Sequence, residues 1–247
     1  MLLKRRDYSS IGRVKTSIAR AIQVMTSWFA PIFRYSLSGE YYCAKIYMLS
    51  QDGREVFRLI RIGGGRLRGR YINTPPGDIA RPALSRVRLA VFNILAPGLQ
   101  DSSFLDLFGG SGAYAIEAVS RGAREATIVE LNPRAISIIR ENLRSTGLDQ
   151  IVRLVLGDAL KAIPAFAQSG VLFDVIAVAP PHFAGLVEKT VALLDRTPDL
   201  LSQSGIVFVQ HHRDEKLPEG VRNLSPGRSY QYGITQISLL HKPRPPV

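Results

Sequence analysis

The run LDLFGGSG at 105–112 constrains the fold more than any other part of the chain. A short apolar strand, FLDLF (104–108), passes directly into Gly109, Gly110 and Gly112, and residues 112–121 then read as helical. Strand, tight glycine turn and helix form the opening unit of an open parallel sheet. The same alternation continues downstream. ATIVE (126–130) reads as a second strand, followed by a helix from Pro133, well placed in a first turn, to about Ser145. IVRLVLGD (151–158), FDVIAVA (173–179) and GIVFVQH (205–211) read as further strands with helices between them, and Gly233 to Leu240 as a last strand. Continuous apolar strands alternating with helices predict an α/β domain with a parallel sheet covered on both faces.

Ligands of such sheets bind beyond the carboxyl ends of the strands. Phe108 ends the first strand there, and the glycines let the backbone approach a ligand closely. Glu130 ends the second strand, where a carboxylate can accept both hydroxyls of a ribose. Asp158 ends the third, placed to accept a hydrogen bond from an adenine amino group. Leu131 and Ala159, the residues next to these acids, complete the candidate cofactor-binding set. Two ligands compete for it. Gly110, Gly112 and Ala115 fit the dinucleotide fingerprint, with an acid 20 residues after Gly110. Asp106, inside the strand before the glycines, and the Gly157-Asp158 pair argue for S-adenosylmethionine. Asp106 can engage its ammonium group directly or through water. A third alternative is a structural strand-turn-helix with no ligand.

The 247 residues divide into three stretches of different composition. Residues 1–55 form an N-terminal extension with many basic residues and few acids. In it Ile11, Val14, Ile18, Ile22, Met25 and Phe29 recur at helical spacing until Pro31. This extension reads as a start called too early, as an organelle targeting segment, or as an extra helix. Residues 56–98 read as a basic strand pair and helix. VFRLIRI (56–62) and RLRGRYI (66–72) are the strands, broken by Gly63-Gly64-Gly65. Leu84 to Leu95 is the helix, with Val87, Val91, Ile94 and Leu95 on one face. Eight arginines and one acid, Asp78, lie between Arg58 and Arg88. Arginine forks match phosphates and base edges, so Arg66, Arg68, Arg70, Arg81, Arg86 and Arg88 are the candidate nucleic-acid-binding residues, for RNA or DNA. A net charge of +12 also favours a polyanionic partner. Residues 99–247 form the α/β domain, ending in a proline-rich tail, HKPRPPV. Cys43 is the single cysteine and the four histidines have no ligand spacing, so neither a disulfide nor a metal site is expected. No apolar run approaches the roughly 18 residues of a membrane span, and no stable membrane insertion is expected.

The chain resembles the RsmD-type small-subunit (16S) rRNA guanine-N2 methyltransferases. The resemblance runs from about Arg58 to Leu240. IGGGRLRGR (62–70), the RP and RVR of RPALSRVRLAVFNIL (81–95), LDLFGGSGAYAIEAVSRGA (105–123), VE (129–130), GDA (157–159), FDVIAVAPPH (173–182) and YGIT (232–235) carry it. It implies a Rossmann-like class I methyltransferase with a small N-terminal β-rich RNA-binding part and S-adenosylmethionine as cofactor. It also implies small-subunit rRNA or an assembling small ribosomal subunit as partner, a monomer, and a bacterial cytoplasm. An organelle applies instead if the N-terminal segment is a targeting signal.

The family's catalytic loop reads Asp or Asn, then Pro, Pro and an aromatic residue. Its acidic or amide oxygen and the following carbonyl accept the two N–H groups of a guanine amine, and its ring stacks on the extruded base. Here the catalytic positions are Ala179, Pro180, Pro181 and His182. Pro180 still offers its carbonyl and His182 a smaller ring, but Ala179 removes one acceptor. Asp174, five residues upstream, is not expected to reach. Ala83, Ser85, Leu89 and Gln210 also depart from the usual Thr, Asp, Glu and Glu. Two functions stay open: an rRNA methyltransferase, and a weakened or inactive rRNA-binding assembly protein on the same fold.

Overall fold

The structure, a computed structural model, describes residues 59–75 and 82–243. Residues 1–58, which include the N-terminal extension, 76–81, which include Arg81, and 244–247 lie outside the described residues. Phe57–Val247 forms one compact unit.

That unit opens on β1 (Leu59–Arg61) and β2 (Tyr71–Asn73), an antiparallel pair with Ile60 opposite Ile72. The second strand is shorter than the sequence implies. Gly65–Leu67 winds into a single 3-10 turn instead. Ser120 is the cause: its hydroxyl donates to Gly64 O (2.6 Å) and accepts from Leu67 N (2.9 Å). Helix α1 (Pro82–Leu99) follows, with Val87, Val91 and Leu95 buried as the spacing predicts. It extends a turn beyond Leu95 and carries Pro97 in that last turn.

A seven-stranded sheet follows. Its strands are β3 (Ser103–Asp106), β4 (Glu125–Glu130), β5 (Val152–Leu156), β6 (Phe173–Val178), β7 (Leu201–His212), β8 (Ser225–Tyr232) and β9 (Thr235–His241). Their order across the sheet is β5-β4-β3-β6-β7-β9-β8. The first five run parallel, but β9 pairs antiparallel with both β7 and β8. The sheet is therefore parallel over most of its width and antiparallel at one edge. Strand β8 is exposed along nearly its whole length. Its sequence, SPGRSYQY, has neither an apolar run nor alternation, and a proline is tolerated there because the strand lies at an edge.

Helices α2 (Ala113–Ser120), α3 (Pro133–Thr146), α4 (Ala159–Gln168) and α5 (Leu186–Arg196) connect the parallel strands. The pleat sends successive side chains to opposite faces. Phe104, Ile128, Val175 and Phe208 enter one core with α1, α2 and α3. Leu105, Val129, Ile176 and Val209 enter the other with α4 and α5. Ile62, Leu67 and Ile72 of the basic strand pair belong to the first core, so that pair is a layer of the same unit. Among the described residues no helix is long and apolar enough to cross a membrane.

Two buried polar side chains reinforce this junction. Asn142 of α3 accepts from Asn73 N (2.8 Å) and donates to Asn73 O (2.8 Å) and Ser111 O (2.9 Å), joining β2 to the glycine turn. Glu117 of α2 is fully buried and accepts from Gly63 N (2.8 Å) and Arg121 Nε (2.8 Å), with Arg88 Nε at 3.6 Å.

Candidate active site

The strand order reverses between β3 and β6. The chain moves outward from β3 through β4 to β5, then crosses back to β6 on the other side. The sequence-predicted residues meet at the carboxyl ends of these strands. A Cβ on Gly109 would collide with Ile128, so only glycine lets the backbone pass there. Gly112 caps α2 with φ of +77°, a conformation that glycine adopts without strain. Gly110 N donates to Glu130 Oε2 (2.7 Å), and Asn132 N donates to Glu130 Oε1 (2.7 Å). Each carboxylate oxygen keeps a second lone pair for a ligand. Asp158 begins α4 as its cap, accepting from Leu160 N (2.9 Å). Gly157 N donates to Glu130 O (2.9 Å), which brings the ends of β4 and β5 together. Leu131 is 68% exposed on this edge, while Ala159 is buried and Phe108 half-buried.

Asp106 ends β3 and is fully buried. Burial pushes its pKa up to about 7; the Glu130 charge adds to the rise, and the backbone amides of Phe108 and Ala115 work against it. Phe108 N donates to Oδ1 (3.3 Å). Oδ2 has no hydrogen-bond partner among the described residues. A buried carboxylate oxygen without a donor is costly, and a cationic ligand group would supply one. With the glycine turn and Glu130, this fits a nucleoside ligand that carries an ammonium group.

The Ala179–His182 loop leaves β6 beside this turn. Asp106 pairs with Ala177 across the sheet, and Leu107 N donates to Ala177 O (3.1 Å). Ala179 is half-buried, Pro180 buried, Pro181 exposed and His182 half-buried. Phe183, His212 and Glu215, which the sequence reading did not single out, lie against the loop. Phe183 and His212 rings are 4.7 Å apart, and His182 packs edge-on to both. Only the ring next to His182 was a visible signal in the sequence; His212 and Glu215 arrive through folding. Tyr114 donates from its hydroxyl to Gln210 Oε1, linking α2 to β7. Burial raises the Tyr114 pKa; Arg88 works against the rise and Asp106 adds to it.

Asp174 stays at the other end of β6, as expected, where Ser103 N (2.9 Å) and Ser103 Oγ (3.0 Å) donate to it. It lines an open hollow of about 450 Å³ with Pro97, Asp101 and His241. That hollow is at the amino ends of the strands, away from the Ala179–His182 loop. Among the described residues no group of three or more metal-ligating side chains is placed to hold an ion.

Arg66, Arg68, Arg70 and Arg86 are exposed. Arg70 Nη1 also donates to Ser145 O (3.2 Å). Arg88 is a correction. It is 5% exposed, donates to Arg61 O (2.8 Å) and faces Glu117, so it fastens α1 to the strand pair instead of reaching RNA. Arg81 lies outside the described residues.

A family model described as conserved hypothetical protein 95 matches residues 60–241. The ribosomal RNA small subunit methyltransferase D of Escherichia coli K12 is 35% identical over 166 residues, covering 67% of this chain and 81% of that protein. A solved hypothetical protein of Thermus thermophilus aligns with a TM-score of 0.61 at 33% identity, covering 74% of this chain and 99% of that one. An RNA methyltransferase of Salinibacter ruber, solved with S-adenosyl-L-homocysteine, shares the fold with a TM-score of 0.52 at 16% identity, covering 68% of this chain and 97% of that one.

Proposed function

Because the chain belongs to the RsmD-type family, matched by the conserved hypothetical protein 95 model, we propose that it methylates small-subunit rRNA. The reaction transfers a methyl group from S-adenosylmethionine to the exocyclic N2 amine of a guanine. The observation that carries this reading is the convergence of Asp106, the glycine turn, Glu130 and Asp158 beside the Ala179–His182 loop.

Bound S-adenosylmethionine supplies an electrophilic methyl group. The protein's own residues do the rest. Glu130 accepts the ribose hydroxyls with the lone pairs that its two backbone donors leave over. Asp158 accepts from the adenine amine, and Leu131 offers an exposed apolar wall beside it. Asp106 Oδ2 receives the ammonium group. On the other side, the Pro180 carbonyl accepts one N–H of the target amine and orients its nitrogen. The loop prolines hold that carbonyl in place, and the rings around His182 wall the base site. Position 179 provides no second acceptor, which slows transfer. That same residue favours a second reading, an rRNA-binding assembly protein without efficient transfer.

Three measurements bear on this reading. Glu130→Ala is expected to weaken S-adenosylhomocysteine binding at least tenfold, about 1.4 kcal/mol, in calorimetry; unchanged affinity would remove Glu130 from the ribose site. Second, pairing with an ammonium group requires ionised Asp106. Burial has raised its pKa to about 7, so affinity is full above that pH and falls as pH drops through it. The expected slope is about tenfold per pH unit below about pH 7. Asp106→Asn should flatten the profile, and a flat wild-type profile would contradict the pairing. Third, neutralising Arg66, Arg68 and Arg70 together should weaken RNA binding. The log–log salt slope should also become shallower, by about 0.7–0.9 for each phosphate that is no longer neutralised. An unchanged slope would move the RNA surface elsewhere.

A further inference from the structure

We propose that the nucleobase-stacking surface of this protein is the exposed Phe183 ring, backed by His212 and positioned by Glu215, and that His182 buttresses it. This deepens the methyltransferase reading and rests on it.

The backbone gives the first reason. Phe183 has φ of +58°, one of two non-glycine residues among those described that hold a positive φ. A bulky side chain in the left-handed region is strained and persists only where its surroundings impose it. Glu215 imposes it here. Its Oε1 accepts from Phe183 N (2.9 Å) and its Oε2 from His212 N (3.0 Å). One carboxylate therefore ties the loop after β6 to the carboxyl end of β7.

The strained backbone holds the Phe183 side chain 66% exposed, next to the catalytic loop. The core does not require this ring. It meets the His212 ring at 4.7 Å and 48°; the His212 side chain is 14% exposed and its Nδ1 accepts from Asp214 N (3.2 Å), so His212 backs the Phe183 ring and leaves Phe183 as the open face. His182 is half-buried and stands edge-on, at 86° to Phe183 and 69° to His212. Unpaired bases stack on any exposed aromatic face, and such contacts are sequence-tolerant. The amine acceptors in the loop then supply the choice of base.

The test uses full-length protein, S-adenosylmethionine and unmodified small ribosomal subunits. Phe183→Ala is expected to lower kcat/KM roughly 10- to 100-fold and to leave S-adenosylhomocysteine affinity unchanged. His182→Ala is expected to cost less. Phe183→Trp should retain transfer, and its added emission over the Trp28 background should be quenched by unmodified 16S rRNA. Glu215 is a positioning residue. Glu215→Ala in the Phe183→Trp protein should reduce both quenching and kcat/KM, while Glu215→Gln, which keeps one acceptor oxygen, should restore part of each. Wild-type kcat/KM in Phe183→Ala, or a larger loss in His182→Ala, would overturn the assignment while leaving the methyltransferase reading intact. If the wild-type protein transfers no methyl group, that reading fails; quenching then decides the stacking surface alone, and an unquenched tryptophan would refute it.

Discussion

Ala179→Asp is expected to raise methyl transfer about a hundredfold, the effect of about 3 kcal/mol of transition-state stabilisation from one preorganised hydrogen-bonding group. A guanine amine is a poor nucleophile because its lone pair is delocalised into the ring. Two acceptors aimed at its N–H groups align the nitrogen with the methyl group. In the proposed site the Pro180 carbonyl is one of them. An aspartate at 179 would add the second directly after β6, beside the turn that follows β3. Ala179 is only half-buried, so the new carboxylate keeps contact with water and stays ionised. Single-turnover transfer to unmodified small subunits measures the gain. No increase, with cofactor affinity unchanged, would mean that the target amine does not approach this loop.

The second large effect concerns the fold. Glu117→Ala should destabilise the protein by about 3–5 kcal/mol, because it leaves a buried arginine without its anion. Arg88 is 5% exposed and Glu117 fully buried, so neither charge can turn to solvent. Arg121 loses its partner at 2.8 Å, and the Gly63 amide loses its acceptor at 2.8 Å. Gly63 lies in the turn that carries Arg66 and Arg68, so RNA affinity should fall together with stability. Glu117→Gln, which keeps a neutral acceptor, should cost less. Denaturant unfolding reads both variants. A change within about 0.5 kcal/mol, the range of ordinary surface substitutions, would show that Glu117 is not the clasp.

The parallel core was legible because each central strand is a continuous apolar run, which only a two-sided burial explains. The positions of the glycine turn and of the acids at the strand ends were legible because an apolar run that breaks into glycines, or stops on an acid, marks the end of a strand. Other parts were not. Strand β8 hides in SPGRSYQY because an edge strand buries almost nothing. Residues 66–70 look like a strand until Ser120, more than 50 residues away, winds part of them into a turn. Arg88 resembles its neighbours by composition, yet it adjoins Val87 on the buried side of α1. A single acid in the apolar helix AYAIEAVS was the available hint that some arginine must turn inward to meet it. Phe183 was readable as a ring beside the loop, but its φ, its exposure and its tie to Glu215 are tertiary facts. None of these depends on local spacing, and sequence periodicity carries no information about them.

The central claim is that this protein methylates small-subunit rRNA, and radiolabelled methyl transfer from S-adenosylmethionine to unmodified small ribosomal subunits tests it most directly. The expected result is slow incorporation by the wild-type protein, recovered as N2-methylguanosine after digestion of the RNA, and faster incorporation by Ala179→Asp. Measurable cofactor binding with no label in the RNA from the wild-type protein, whether or not Ala179→Asp labels it, would contradict it.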